Sequence, residues 1–252
     1  MSIEKELEVK EKAIEFDCSK STLSTTTTLY PLEESNPFFN PTRRLLINAH
    51  GIGVLRFPTP PRELDIPIQT EDGKLVYLSK REKRSSGNCM LSHVKLGDVV
   101  QTEYFFGPNR DPVLYLLDDE DGGGQREVKT KGKWTSRAME FRVLGGESLE
   151  WRYTAEELCN GGQVNLLVLS RVDSKADKEN GNVIAKLIRS DETRTPGSAK
   201  CSAGNGGELL IDEEALGSLD EGLVVASCLV MLKREIDRRR ALQIAMIGAV
   251  VT

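Results

Sequence analysis

A chain of 252 residues, 38% hydrophobic and 29% charged, is long enough to bury a sizeable core, and a single all-β domain of this length is unexceptional. Its net charge of -5 argues against generic nucleic-acid binding, and no uninterrupted run approaches the ~18 apolar residues of a membrane-spanning helix. Cys18, Cys89, Cys159, Cys201 and Cys228 are scattered without a C-x-x-C pair, which indicates neither a disulfide framework nor a zinc site and suits a reducing, cytoplasmic home.

Met1 to Lys20 is rich in Glu and Lys, lacks the apolar core of a signal peptide, and leads into the Ser/Thr-rich stretch Ser19 to Thr28. Little there can be buried, so residues 1–40 are expected to be a flexible segment preceding one domain at 41–252. From about Thr42 the pattern becomes short apolar runs divided by Gly, Pro, Asn and Asp, which is the signature of strands. Strands are predicted at 44–48, 53–57, 64–69, 74–79, 88–93, 98–106, 113–117, 126–129, 134–143, 149–153, 164–172, 183–189 and 208–211.

Alternation supports several of them. Met139, Phe141 and Val143 share one face of their strand, and Leu149, Trp151 and Tyr153 share one face of the next, so this pair reads as a hairpin with its apolar side inward. Asp72 and Gly73 supply the backbone freedom of a second hairpin turn.

Asp220 to Leu232 is the one convincing helix, and it is apolar on every side: Leu223, Val224, Val225, Ala226, Cys228, Leu229, Val230, Met231 and Leu232 leave no polar stripe. A helix of that kind must be surrounded, and strands are the available wall. Ser218 and Glu221 have capping-box spacing at its start. The run Lys233 to Arg240 is costly to bury and should mark where the helix leaves its enclosure. Ala241 to Val251 is apolar again, and its place is left open. The expected fold is mainly β: a closed antiparallel barrel of about 12 strands, which removes exposed sheet edges, around a hydrophobic C-terminal helix at about 219–240.

That order of elements resembles the tubby C-terminal-like family, which also includes the LURP-one-related proteins and the phospholipid scramblases. The resemblance covers roughly Leu45 to Arg240 and rests on the Asp72–Gly73 hairpin with Lys74 to Leu78, the strands through Gly132 to Arg137 and Phe141 to Val143, and the helix Asp220 to Leu232. The chain is also similar to filamentous-fungal proteins of unknown function that share the segments Phe106 to Pro112, Cys201 to Gly207 and Lys233 to Arg240. The family resemblance implies a barrel threaded by its helix; the phosphoinositide-contacting residues of tubby proteins have no one-to-one counterparts here.

Catalysis has little to stand on. His50 and His93 are the only histidines, and no nucleophile elbow, zinc-protease motif or Cys/His arrangement is present. Gly204 to Gly207 precedes a strand instead of opening a helix and reads as a turn, and Asp118 to Asp121 lacks the alternating ligands of a calcium loop and reads as solvated. The basic residues are the more telling feature. Lys80, Arg81, Lys83 and Arg84 form one group, and Arg126, Lys129, Lys131, Lys133 and Arg137 form another.

If the barrel brings those groups together, they suit an anionic head group, with lysines as point charges and arginines as bidentate donors to phosphate. An ordinary solvated surface is the competing reading. The expectation is a non-enzymatic module, cytoplasmic and peripheral at the membrane. It would recognise anionic phospholipid, phosphoinositide head groups first, through Lys80, Arg81, Lys83, Arg84, Lys131, Lys133 and Arg137. The alternative is a protein-interaction or scaffold module with no lipid ligand. No metal, cofactor or nucleic-acid partner is expected.

Overall fold

The computed structural model describes residues 39–54, 63–84, 86–107, 110–117, 125–132, 136–143, 146–157, 163–172, 183–199 and 201–251. The strands are β1 (Arg43–Ile47), β2 (Asp65–Gln69), β3 (Leu75–Arg81), β4 (Cys89–His93), β5 (Gly97–Glu103), β6 (Val113–Leu117), β7 (Gln125–Lys131), β8 (Met139–Arg142), β9 (Ser148–Glu157), β10 (Gln163–Arg171), β11 (Val183–Arg189) and β12 (Gly207–Ile211). Two helices follow, α1 (Glu213–Leu216) and α2 (Glu221–Val251). Each strand pairs antiparallel with its sequence neighbours, and β1 pairs with β12, so the sheet closes into a barrel without edges.

The predicted hairpin is β8–β9. Met139 lies opposite Trp151 and Phe141 opposite Leu149, all four buried, while Glu140 and Glu150 face each other on the outside. Each of those glutamates pairs with the arginine two residues on, Arg142 and Arg152, because residues two apart share a strand face. At the other predicted hairpin Gly73 takes φ 75°, and Thr70 N–H donates to the Lys74 carbonyl at 2.9 Å to close the turn.

α2 runs through the barrel. Leu223 to Leu232 is buried on every side, in one cluster with inward residues of the strands. Its contacts reach different parts of the wall: Glu221 accepts from Arg43 on β1 and Tyr77 on β3, and Ser227 accepts from Trp151 on β9. The start of the helix corrects the capping-box expectation. Asp220 is the cap, its carboxylate accepting from Gly222 N–H at 2.5 Å, while Ser218 is exposed and Glu221 is turned to Arg43 and Tyr77.

Other boundaries move for identifiable reasons. The strand expected at 53–57 is not formed in its described part: Ile52 makes an isolated bridge to Ala203, and the Gly53 and Val54 carbonyls accept from the Gln243 amide of α2 instead of from a strand. The strand expected to reach Phe106 stops at Glu103, since Tyr104 N–H turns to the Asn88 side chain at 2.9 Å. In the described part of the strand expected at 134–143, pairing starts only at Met139, after Ala138 N–H bonds the Ser136 hydroxyl in a turn. The helix continues past Arg240 to Val251, 31 residues in all, or about 46 Å at 1.5 Å per residue. The predicted acidic loop Asp118 to Asp121 and the segment 1–38 lie outside the described residues.

Candidate functional site

In a closed meander all odd-numbered strands run the same way, so β1, β3, β5, β7, β9 and β11 end at one rim. α2 rises in that direction too, from Glu221 beside the start of β1 to Glu235 beside the end of β11. Strand direction therefore gathers Arg81, Lys131 and Arg189, the last residues of β3, β7 and β11, around the mouth through which the helix leaves.

This arrangement places the residues expected to bind an anion. Lys80 is exposed on β3, Arg81 is half-buried, and Lys83 and Arg84 are exposed in the following turn. Lys131 is exposed at the end of β7, Arg137 is exposed in the next loop, and Lys133 lies outside the described residues. The two groups share a rim but do not form one patch in the sheet, because β4, β5 and β6 stand between β3 and β7. Of the described residues in this set, Arg137 lines the larger cavity at the mouth, with partners from elsewhere in the chain.

The charged run of α2 occupies the mouth, more deeply than its composition suggests. Lys233, Arg234 and Asp237 are buried, and Lys233 Nζ lies 2.6 Å from Asp237 Oδ1 and 4.9 Å from the centre of the Tyr104 ring. Burial lowers the Lys233 amine below its ordinary value, and the neighbouring Arg81 and Arg240 act in the same direction against the pull of Asp237. Burial also pushes the Tyr104 phenol up, reinforced by Asp237.

On one flank of the helix a cavity of about 600 Å³ is lined by Arg137, Arg189, Arg194, Arg238 and Arg239, with Glu235 the single carboxylate among the described lining residues and Tyr153 and Leu242 among the walls. Arg189 grips Glu235 with both Nη atoms, at 2.7 and 3.0 Å, and Gly204 N–H donates to the same carboxylate at 2.8 Å. Burial alone would raise Glu235, but the Arg189 charge, these hydrogen bonds and the Tyr153 hydroxyl outweigh it and hold the carboxyl below the usual range. Arg238 donates to the Ser136 carbonyl at 2.9 Å and lies 5.8 Å from the Tyr153 ring centre, and Arg239 donates to the Cys201 carbonyl at 3.3 Å. The glycine segment that reads as a turn is the strap here: Gly204, at φ 73°, lies so close to α2 that a Cβ would sit 2.4 Å from Ile236 Cγ1.

The opposite flank differs in character. A cavity of about 430 Å³ is lined by Tyr104, Phe105, Phe106, Lys233, Asp237, Arg240 and Ile244, together with Ser86 to Asn88. Phe105 and Phe106 are exposed, and so are Leu242, Ile244, Met246 and Ile247 on the last turns of α2. No helix among the described residues is long and apolar enough to cross a membrane.

Both histidines have local partners: His50 meets Glu63 through its backbone N–H and ring, and the His93 ring accepts from Lys95 and Leu96 N–H. Arg189 and Arg194, which complete the cavity, were not singled out from the sequence because each stands alone between neutral neighbours. Strand direction was the available signal, since it sends the end of β11 to the rim that receives Arg238 and Arg239. No protein-family model, curated protein or solved structure matches the chain.

Proposed function

We propose that this barrel is a non-catalytic module that docks its helix-exit end on an anionic phospholipid surface. The observation that carries the reading is the order of side chains on α2: Arg238, Arg239 and Arg240, then an exposed apolar end bearing Leu242, Ile244, Met246 and Ile247. From Ala241 to Val251 that end measures about 16 Å, roughly half of a ~30 Å hydrocarbon core, so it suits insertion into one leaflet. Burying such a side chain contributes about 1.5–3 kcal/mol, and each basic residue held near an anionic leaflet adds about 1 kcal/mol.

Phe105 and Phe106 stand beside Ile244 and extend the apolar contact, while Arg81, Lys83, Arg84, Lys131 and the cavity arginines ring it with positive charge. The resemblance to the tubby-like barrels supports this reading of a surface-binding domain, and phosphoinositide-bearing membranes are the first candidates.

The test is co-sedimentation with vesicles of phosphatidylcholine alone, with added phosphatidylserine and with added phosphoinositide, for the native chain and for Met246→Glu/Ile247→Glu. Docking predicts binding to the anionic vesicles only, weakened by salt and abolished in the double variant. Absence of binding at low salt would overturn it and favour a protein partner on the same apolar end.

A further inference from the structure

We infer that the arginine cavity is a distinct binding site for a compact polyphosphate, an anion carrying two or more phosphate groups on a small scaffold. The inference deepens the docking reading by naming the ligand of that end, and rests on it only for whether the phosphates arrive on a lipid or free in solution.

Arg137 comes from the loop after β7, Arg189 from the end of β11, Arg194 from the turn that follows, and Arg238 and Arg239 from α2. Among the described lining residues five arginines thus meet one carboxylate, Glu235, and that carboxylate is engaged on both oxygens by Arg189. Arg194 shares its charge with Asp191, whose side chain is well exposed and so lies largely in solvent. Arg238 and Arg239 are held by the neutral carbonyls of Ser136 and Cys201, which orient a guanidinium without cancelling its charge.

The internal partners therefore position the forks and leave a net positive hollow. Like charges held this close repel one another, and an anion that bridges them relieves the repulsion. Planar guanidinium forks match phosphate oxygens bidentately, and their number exceeds what one carboxylate or one phosphate requires. A cavity of about 600 Å³ falls in the size range of small-molecule sites. Among the described lining residues Leu242 is the one large aliphatic side chain, which favours a ligand whose body is small and polar.

Glu235 neutralises Arg189 through both of its oxygens, which leaves contacts with a ligand to Arg137, Arg194, Arg238 and Arg239.

The decisive experiment measures thermal stabilisation and calorimetric binding of the full chain with tripolyphosphate, with orthophosphate and sulfate as controls. Two variants, Arg137→Ala/Arg239→Ala and Arg194→Ala, alter the cavity while sparing the buried Arg189–Glu235 pair, and Lys83→Ala/Arg84→Ala alters surface charge outside its lining. Tripolyphosphate should raise the melting temperature in a concentration-dependent way and bind at least ~10-fold more tightly than orthophosphate, because more forks are engaged. Each cavity variant should weaken it by ~10-fold or more, and the control pair should leave it unchanged. No binding by the native chain at low salt, or equal loss in cavity and control variants, overturns the inference.

The same cavity variants are then compared on phosphoinositide vesicles and on phosphatidylserine vesicles. Selective loss on the phosphoinositide vesicles identifies a lipid head group as the source. Unchanged vesicle binding with lost tripolyphosphate binding identifies a soluble ligand. Vesicle binding absent throughout, with tripolyphosphate binding intact, refutes the docking reading and leaves the cavity assignment standing.

Discussion

Trp151 on β9 donates its indole N–H to the Ser227 hydroxyl on α2 at 2.9 Å, and that hydroxyl in turn donates to the Val224 carbonyl at 3.0 Å. Both residues are buried, so this is a polar link between wall and helix inside a mainly apolar core. Ser227→Ala should strand the indole N–H and cost about 1–3 kcal/mol. Trp151→Phe in the same chain should show positive coupling, since a Phe has no donor to satisfy. Urea unfolding of the two single variants and the double variant measures both terms; strictly additive losses would show that the link adds nothing beyond packing.

Glu235 should make the protein acid-sensitive. Its carboxyl lies below the usual range when folded, so the unfolded chain binds that proton more readily than the native one. The stabilisation is present above the unfolded value near pH ~4.3 and is lost as pH falls through the lower folded value. Glu235→Gln should lower stability at neutral pH by about 3 kcal/mol, because Arg189 stays buried without its counter-ion. The gap between variant and native chain should close as pH falls from ~5 toward ~2. Melting curves across that range decide it, and a pH-independent gap would remove Glu235 as the source.

Gly204 and Gly73 have nearly the same positive φ, 73° and 75°, but different surroundings. A Cβ on Gly73 meets nothing within 4 Å, whereas one on Gly204 would sit 2.4 Å from Ile236 Cγ1 and 2.7 Å from the Leu232 carbonyl oxygen. Gly73→Ala should cost about 1–2 kcal/mol from the left-handed backbone alone. Gly204→Ala should add roughly 1–3 kcal/mol of overpacking against α2. Equal losses in thermal unfolding would mean that the strap yields and the close approach is not needed.

Much of the fold was legible because burial writes itself into periodicity. Met139, Phe141, Leu149 and Trp151 alternate with Glu140 and Glu150, and the apolar girth of Leu223 to Leu232 required a surrounding wall. Strand ends were less legible, since they depend on distant partners: Asn88 captures Tyr104 N–H, and Gln243 captures the carbonyls of Gly53 and Val54. The capping box read at Ser218 and Glu221 was wrong because distant partners decide it: Arg43 and Tyr77 hold Glu221, and Asp220 takes the cap. The cavity was least legible. Its arginines lie between positions 137 and 239, and only the common direction of the odd-numbered strands brings them together.

The helix that fills the barrel follows all twelve strands in the chain, and the barrel closes by joining Arg43 on β1 to Ile211 on β12. During synthesis the ribosome therefore releases every apolar strand face before the segment that covers them. Such a nascent chain has nothing inside to condense around, and its distant closure makes folding slow and exposed to aggregation. Apolar strand faces that wait for α2 are thus a risk the element order builds into synthesis of this chain.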